Sequence, residues 1–161
     1  MNNSEHNNIP YVDNVFYKLD QTARVAELMA RNCYKFYQDS DKPILDLDEF
    51  KILSHIMDAP NLSQSDISKL VYKGKAHVGK ILNGLESKHY IKRELSTRNN
   101  MIIKHTILTE KGKDVFFYTD EKFNEIIQNI NSVFTEEELK NLKTLLDKLK
   151  FAILNNNKIS F

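Results

Sequence analysis

From Val12 to Tyr37, apolar residues recur at steps of three and four: Val15, Phe16, Leu19, Ala23, Ala26, Met29, Ala30 and Cys33. That spacing lines one face of a helix and predicts a long amphipathic helix over 13–37, ended by "QDSDKP". Asp46, with Glu49 three residues on, is a capping box. It predicts a second helix with Phe50, Leu53, Ile56 and Met57 inside, closing at Ala59-Pro60. Ser63 with Asp66 repeats the device before a short third helix carrying Ile67, Leu70 and Val71. Gly74 then breaks the chain into a fourth helix, with Val78, Ile81, Leu82 and Leu85 inward.

After that the period drops to two. "YIKRELS" and "IIKHTIL" predict two strands, joined by the turn residues "TRNN". In the second strand Ile103, His105 and Ile107 share one face, Lys104 and Thr106 the other. Thr109 opens a long helix to about Phe134, with Val115, Phe116, Phe123, Ile126, Ile127, Ile130, Val133 and Phe134 as candidates for burial. Thr135 with Glu138 is a third capping box. It starts a last helix with Leu139, Leu142, Leu145, Leu146, Leu149 and Ile153. Residues 1–11 lack such a pattern and are expected to be a disordered tail, and the closing "NNNKISF" is expected to be frayed.

Only four Gly and three Pro occur in 161 residues, which favours long helices over a turn-rich β fold. No apolar run approaches the roughly 20 residues that span a bilayer. The opening residues have neither the basic flank nor the apolar core of a signal peptide. The single cysteine cannot form an internal disulfide, and a cytoplasmic protein is expected. The net charge of +1 excludes nothing, but its distribution is uneven. Residues 1–60 hold six Lys/Arg against ten Asp/Glu, residues 61–110 nine against four, and residues 111–161 eight against eight. A basic middle block is the footprint of a nucleic-acid surface, although a solvated face is the commoner origin of such runs.

Within that block, "GKAHVGKI" at 74–81 is one letter from a phosphate-binding P-loop. A P-loop follows a buried strand, and its lysine precedes a Ser or Thr that holds magnesium. Here a capped helix precedes the segment, and Ile81 sits on the apolar stripe. The alternative is helix, tight break, helix, hairpin, which is the order of a winged helix-turn-helix. Off the apolar stripe of the fourth helix lie Lys75, Ala76, His77, Gly79, Lys80, Asn83 and Gly84. Lysines suit phosphates and guanine edges, Asn and His form hydrogen bonds, and small residues allow close approach to a groove.

These segments resemble the multiple antibiotic resistance regulator (MarR) family of bacterial transcription factors over about 12–154. "LDLDEFKILSHIMDAPNLSQSDISKLV" is similar to the family's second and third helices. "KAHVGKILNGLESKHYIKR" resembles its recognition helix and first wing strand, "ILTEKG" its strand-to-helix junction (usually L-T-x-x-G), and "FTEEELKNLKTLLDKL" its last helix. The resemblance implies a mostly α fold with a small β-hairpin wing. A winged helix-turn-helix DNA-binding domain over 44–108 would join a helical dimerisation region formed by 12–37 and 109–154. It implies a homodimer on a pseudo-palindromic double-stranded DNA operator, acting as a repressor released by a ligand or redox signal and not as an enzyme. Candidate DNA contacts are Ser63, Ser65, Lys73, Lys75, Ala76, His77, Lys80, Asn83, Arg98 and Lys104. Two departures stand out. The wing tip has Arg98 as its only cation in place of the family's D-x-R, and His89 replaces the usual Gly after the recognition helix.

Some members of the family sense hydroperoxides through a cysteine near the start of the first helix. Cys33 is the candidate redox sensor here, but it lies in the last turns, on the apolar stripe, where a structural cysteine is the competing reading. Members also bind small phenolic or lipophilic effectors between arms and winged domain. Phe16, Tyr34, Phe36, Tyr37 and Phe50 are candidate lining residues, and core packing accounts for them equally. The five histidines lack metal-ligand spacing, so neither a metal nor a cofactor is expected. The alternative function is a winged-helix protein-interaction module without DNA function. A small enzyme using the near-P-loop is a third reading.

Overall fold

The computed structural model describes residues 11–37, 42–98 and 101–156. The expectations for residues 1–10, for Asn99-Asn100 of the turn and for 157–161 lie outside that range. A 3-10 turn, Tyr11–Asp13, leads into α1, Val15–Tyr37. Then follow α2 (Leu47–Asp58), β1 (Leu62–Ser63), α3 (Gln64–Leu70), α4 (Lys75–Ser87), β2 (Ile91–Arg98), β3 (Met101–Leu108), α5 (Glu110–Asn131) and α6 (Glu136–Asn156). Tyr11, placed in the tail by its sequence, is part of that first turn.

All three capping boxes form. Asp46 Oδ1 accepts from Glu49 N at 2.8 Å, Ser63 Oγ from Asp66 N at 3.2 Å, and Thr135 Oγ1 from Glu138 N at 3.2 Å. Each glutamate or aspartate answers with a bond to the cap's own N–H. The break before α4 differs from expectation in one detail. Gly74 caps α4 at an ordinary φ of −61°, and the left-handed residue is Tyr72, at φ 53°. His89 also takes a left-handed φ of 60°, so the turn after α4 keeps the geometry that glycine would favour.

The hairpin β2–β3 pairs in register from Ile91↔Leu108 to Arg98↔Met101. The sheet has a third strand that the sequence pattern does not show. β1 pairs with β3 at Leu62↔Thr106 and Ser63↔His105, giving the antiparallel order β1-β3-β2. Because β3 lies between two strands, Thr106 is buried along with His105, although the two point to opposite faces.

The core fills the space between α2, α3, α4 and the root of the wing. Leu45, Ile52, Leu53, Ile67, Val78, Leu82 and Leu85 are its fully buried members, with Ile91, Val115 and Phe116 closing it. A smaller cluster joins α1 to α5 through Ala30, Cys33 and Phe123. Phe50 links the two, stacked on Phe116 at 5.2 Å and tilted against Phe123 at 5.1 Å. Thr119 fastens α5 to the α2 entry. Its Oγ1 accepts from Leu45 N at 3.0 Å and donates to Val115 O at 2.7 Å.

Beyond Phe123 the arms are bare. Ile127, Ile130, Val133 and Phe134 are exposed, α6 buries none of its residues, and Val15, Phe16, Val25 and Leu28 of α1 face outward. These positions keep the apolar spacing of buried helices, yet among the described residues of one chain nothing buries them.

Candidate nucleic-acid interface

The 74–81 segment is the cap and first half of α4, with no strand leading into it, so the P-loop geometry is absent. Val78, Leu82 and Leu85 pack inward, which turns Lys75, Ala76, His77, Lys80 and Asn83 outward as the 3.6-residue period requires. Gly74 offers no side-chain cap, so the first N–H groups of α4 have no cap partner and carry the positive end of the helix dipole. α4 has no acidic residue in its first turn, and neither Lys75 nor Lys80 forms an ion pair among the described residues.

Other candidates are already engaged. Lys73 Nζ donates to both oxygens of Asp48 on α2, at 2.8 and 2.6 Å, and His77 Nε2 lies 3.3 Å from the same carboxylate. Burial would raise the Asp48 carboxyl, but the bonds from Lys73 and His77 and the nearby Lys51 outweigh it and hold it below the usual range. Asn83 Oδ1 accepts from Arg93 Nη2 at 2.7 Å, and Arg93 Nε donates to Glu86 Oε2 at 2.9 Å. These bonds brace β2 against α4, and Arg93 keeps the Glu86 carboxyl low. Ser63 Oγ is spent on its own capping box, donating to Asp66 Oδ2 at 2.7 Å. Ser65 is half-buried in the first turn of α3, and Lys104 is exposed on β3 opposite Leu95. Arg98 is placed by its backbone at the end of β2, paired with Met101; its side chain lies outside the described set.

The two glycines of α4 separate. A Cβ on Gly84 would meet open space, whereas one on Gly79 would stand 2.8 Å from Gln64 Nε2. Gln64 uses that nitrogen to hold the Lys75 carbonyl at 2.9 Å. So the close approach at Gly79 is to α3 of the same chain. Sequence reasoning missed Asp48, Gln64 and Arg93, because each acts on an element other than its own. The spacing of charges within one helix gives no signal of them.

Cys33 is 5 % exposed, and burial, then Glu125, pushes its thiol above the ordinary range. A thiol so placed is little ionised, which is the environment of a structural cysteine. It borders an open apolar groove of about 580 Å³ between α1 and α5, with Val25, Leu28, Phe36 and Ile126. Of the aromatics expected to line an effector pocket, Phe36 and Tyr37 border this groove, while Phe50 is taken up between Phe116 and Phe123. Phe16 is exposed and Tyr34 half-buried, and neither borders it. Among the described residues no helix is long and apolar enough to cross a membrane, and no three His, Cys, Asp or Glu side chains gather as a metal site.

Short capped helices, a braced hairpin and flanking helical arms define a winged helix-turn-helix fold. In particular, it is the fold of the MarR-type regulators. The S. aureus MepR–DNA complex is 21% identical, with a TM-score of 0.69 over 83% of this chain and 94% of that one. The MarR protein from Peptoclostridium difficile is 20% identical, with a TM-score of 0.74 over 92% and 93%. Streptococcus pneumoniae FabT in complex with DNA is 20% identical, with a TM-score of 0.67 over 88% and 99%. No protein-family model matches the sequence, and no curated protein matches it either.

Proposed function

We propose that this chain is a cytoplasmic, homodimeric transcriptional regulator that binds double-stranded DNA sequence-specifically and acts as a repressor relieved by a small apolar or phenolic effector. The observation that carries the reading is the outer face of α4. It presents Lys75, Ala76 and Lys80 around an uncapped helix N-terminus, beside a wing bearing Lys104 and Arg98. Cations and free N–H groups take phosphates, and a convex helix with small residues fits the major groove. MepR and FabT, which share the fold, were each solved with DNA. The bare apolar faces of α1, α5 and α6 supply the surface for a second copy, and a pair of winged domains suits a pseudo-palindromic operator. The groove beside Cys33 and Phe36 is the site offered to the effector. The high thiol pKa direction at Cys33 favours a ligand over oxidation as the signal.

Fluorescence anisotropy with genomic fragments selected on the protein, against scrambled duplexes over a salt series, tests the reading. Binding that falls with salt and prefers the selected fragments is expected. A protein that ignores duplex DNA at low salt is instead the protein-interaction module.

A further inference from the structure

Asp48 stands at the start of α2, outside the helices that would touch DNA, yet it takes up Lys73 and His77, two of the polar side chains nearest to them. Lys73 precedes α4 and directs two bonds to the Asp48 carboxylate. His77, in the first turn of α4, meets the same oxygen and is 51% exposed as a side chain. A second acid, Asp46, and the pair Glu27 and Arg31 of α1 border the same hollow, of about 280 Å³, with Lys51 adding positive charge from α2. A carboxylate that accepts from one ammonium through both oxygens is the local equivalent of a phosphate group. DNA would bring its own phosphate to this edge, and two of the three donors of the Lys73 ammonium are already spent on Asp48, so the two anions compete for them.

Resting on the DNA-binding reading, we propose that Asp48 is an internal competitor for the DNA backbone: it occupies Lys73 and His77 in the free protein and sets how tightly, and with what salt dependence, the winged domain holds a duplex. Asp48 stands beside the approaching phosphates in either outcome. If Lys73 leaves, its two bonds are exchanged for bonds to phosphate. If Lys73 stays, a negative charge faces a negative backbone. Both lower affinity without touching a base, so the effect falls on any sequence alike.

The experiment measures the full chain and Asp48→Asn, Lys73→Ala and the double variant on a mixed-sequence duplex long enough for two half-sites, over a salt series. Asparagine keeps the side chain's shape and removes its charge. Asp48→Asn is expected to bind severalfold more tightly at low salt, with a salt dependence steeper by about one unit per half-site as Lys73 gains a phosphate. Lys73→Ala is expected to weaken binding by a larger factor in the Asp48→Asn background than in the original chain, and to remove most of the gain that Asp48→Asn brings. Equal losses from Lys73→Ala in both backgrounds overturn the proposal, and so does an Asp48→Asn protein that binds no better. Misfolding cannot mimic a gain in affinity. If the original chain binds no duplex at all, the DNA-binding reading fails first and this inference with it. If it binds and Asp48→Asn leaves affinity and salt slope unchanged, only the inference fails.

Discussion

The backbone carbonyl of Tyr90 occupies the space of a missing side chain: a Cβ on Gly112 would stand 2.0 Å from it. That carbonyl accepts from Thr109 N at 3.0 Å, while Thr109 Oγ1 donates to His89 O at 2.7 Å and accepts from Gly112 N at 3.0 Å. The turn after α4, the root of the wing and the start of α5 thus share one tight junction. Gly112→Ala is expected to destabilise the protein by about 3 kcal/mol or more, because backbone rather than a flexible side-chain end must move. Urea denaturation measures this, and a loss under roughly 1 kcal/mol would show that the junction can yield.

Thr106 is the opposite case. It is 1% exposed, and its Oγ1 has no hydrogen-bond partner among the described residues. Thr106→Val replaces a buried, unpaired hydroxyl with a methyl of similar shape and is expected to be neutral or to stabilise by about 1 kcal/mol. A thermal melt that drops by several degrees would reveal a partner such as a bound water.

Thr119 gives the contrast on α5. Thr119→Val has the same shape but strands the Leu45 N–H, so a loss of about 1–3 kcal/mol is expected. The two threonine variants, melted side by side, should move in opposite directions. Shifts of equal sign and size would refute the hydrogen-bond assignment.

Acid should loosen the α2–α4 contact through Asp48. Its carboxyl is held below the ordinary 3.8, so its contribution is fully present above that value and is lost as pH falls through the lower folded value. Stability measured from pH 5 downward should fall less steeply in Asp48→Asn than in the original chain. Parallel curves would mean that Lys73 and His77 gain nothing from the charge.

Removing residues 136–161, which include α6, is expected to leave an aggregated or unfolded chain, since the exposed apolar faces of α1 and α5 would then have no α6 from a second copy to cover them. A well-behaved monomer in sedimentation would end the proposal of a dimer built from the two chain ends.

The caps and periods of this chain were readable because they are local: a serine or aspartate reaches three residues to its cap partner whatever the rest of the molecule does. The starts of α2, α3 and α6 and the hairpin strands follow from such signals. β1 was not readable, because two residues become a strand only by pairing with β3, more than 40 positions away. The outer face of α4 was half legible. Its outward residues follow from helical spacing, but which of them remain unspent depends on Asp48 reaching Lys73 and His77 from α2 and on Arg93 reaching Asn83 and Glu86 from β2. The apolar arms were legible as helices, whereas their expected burial is absent in one copy.

The Gly112–Tyr90 junction also has a consequence in lever arithmetic. Together with the Thr119–Leu45 bond it ties the α2 entry and the root of the wing to the first half of α5. The 22 residues of α5 make an arm of about 33 Å at 1.5 Å per residue. In a proposed dimer on DNA, a tilt of only about 6° at its bare end would carry α4 about 3.4 Å along the duplex, one base-pair step. An effector would then have no need to touch α4. On the proposed dimer, wedging the arms apart by a fraction of a side chain's width would put the two heads out of step with an operator.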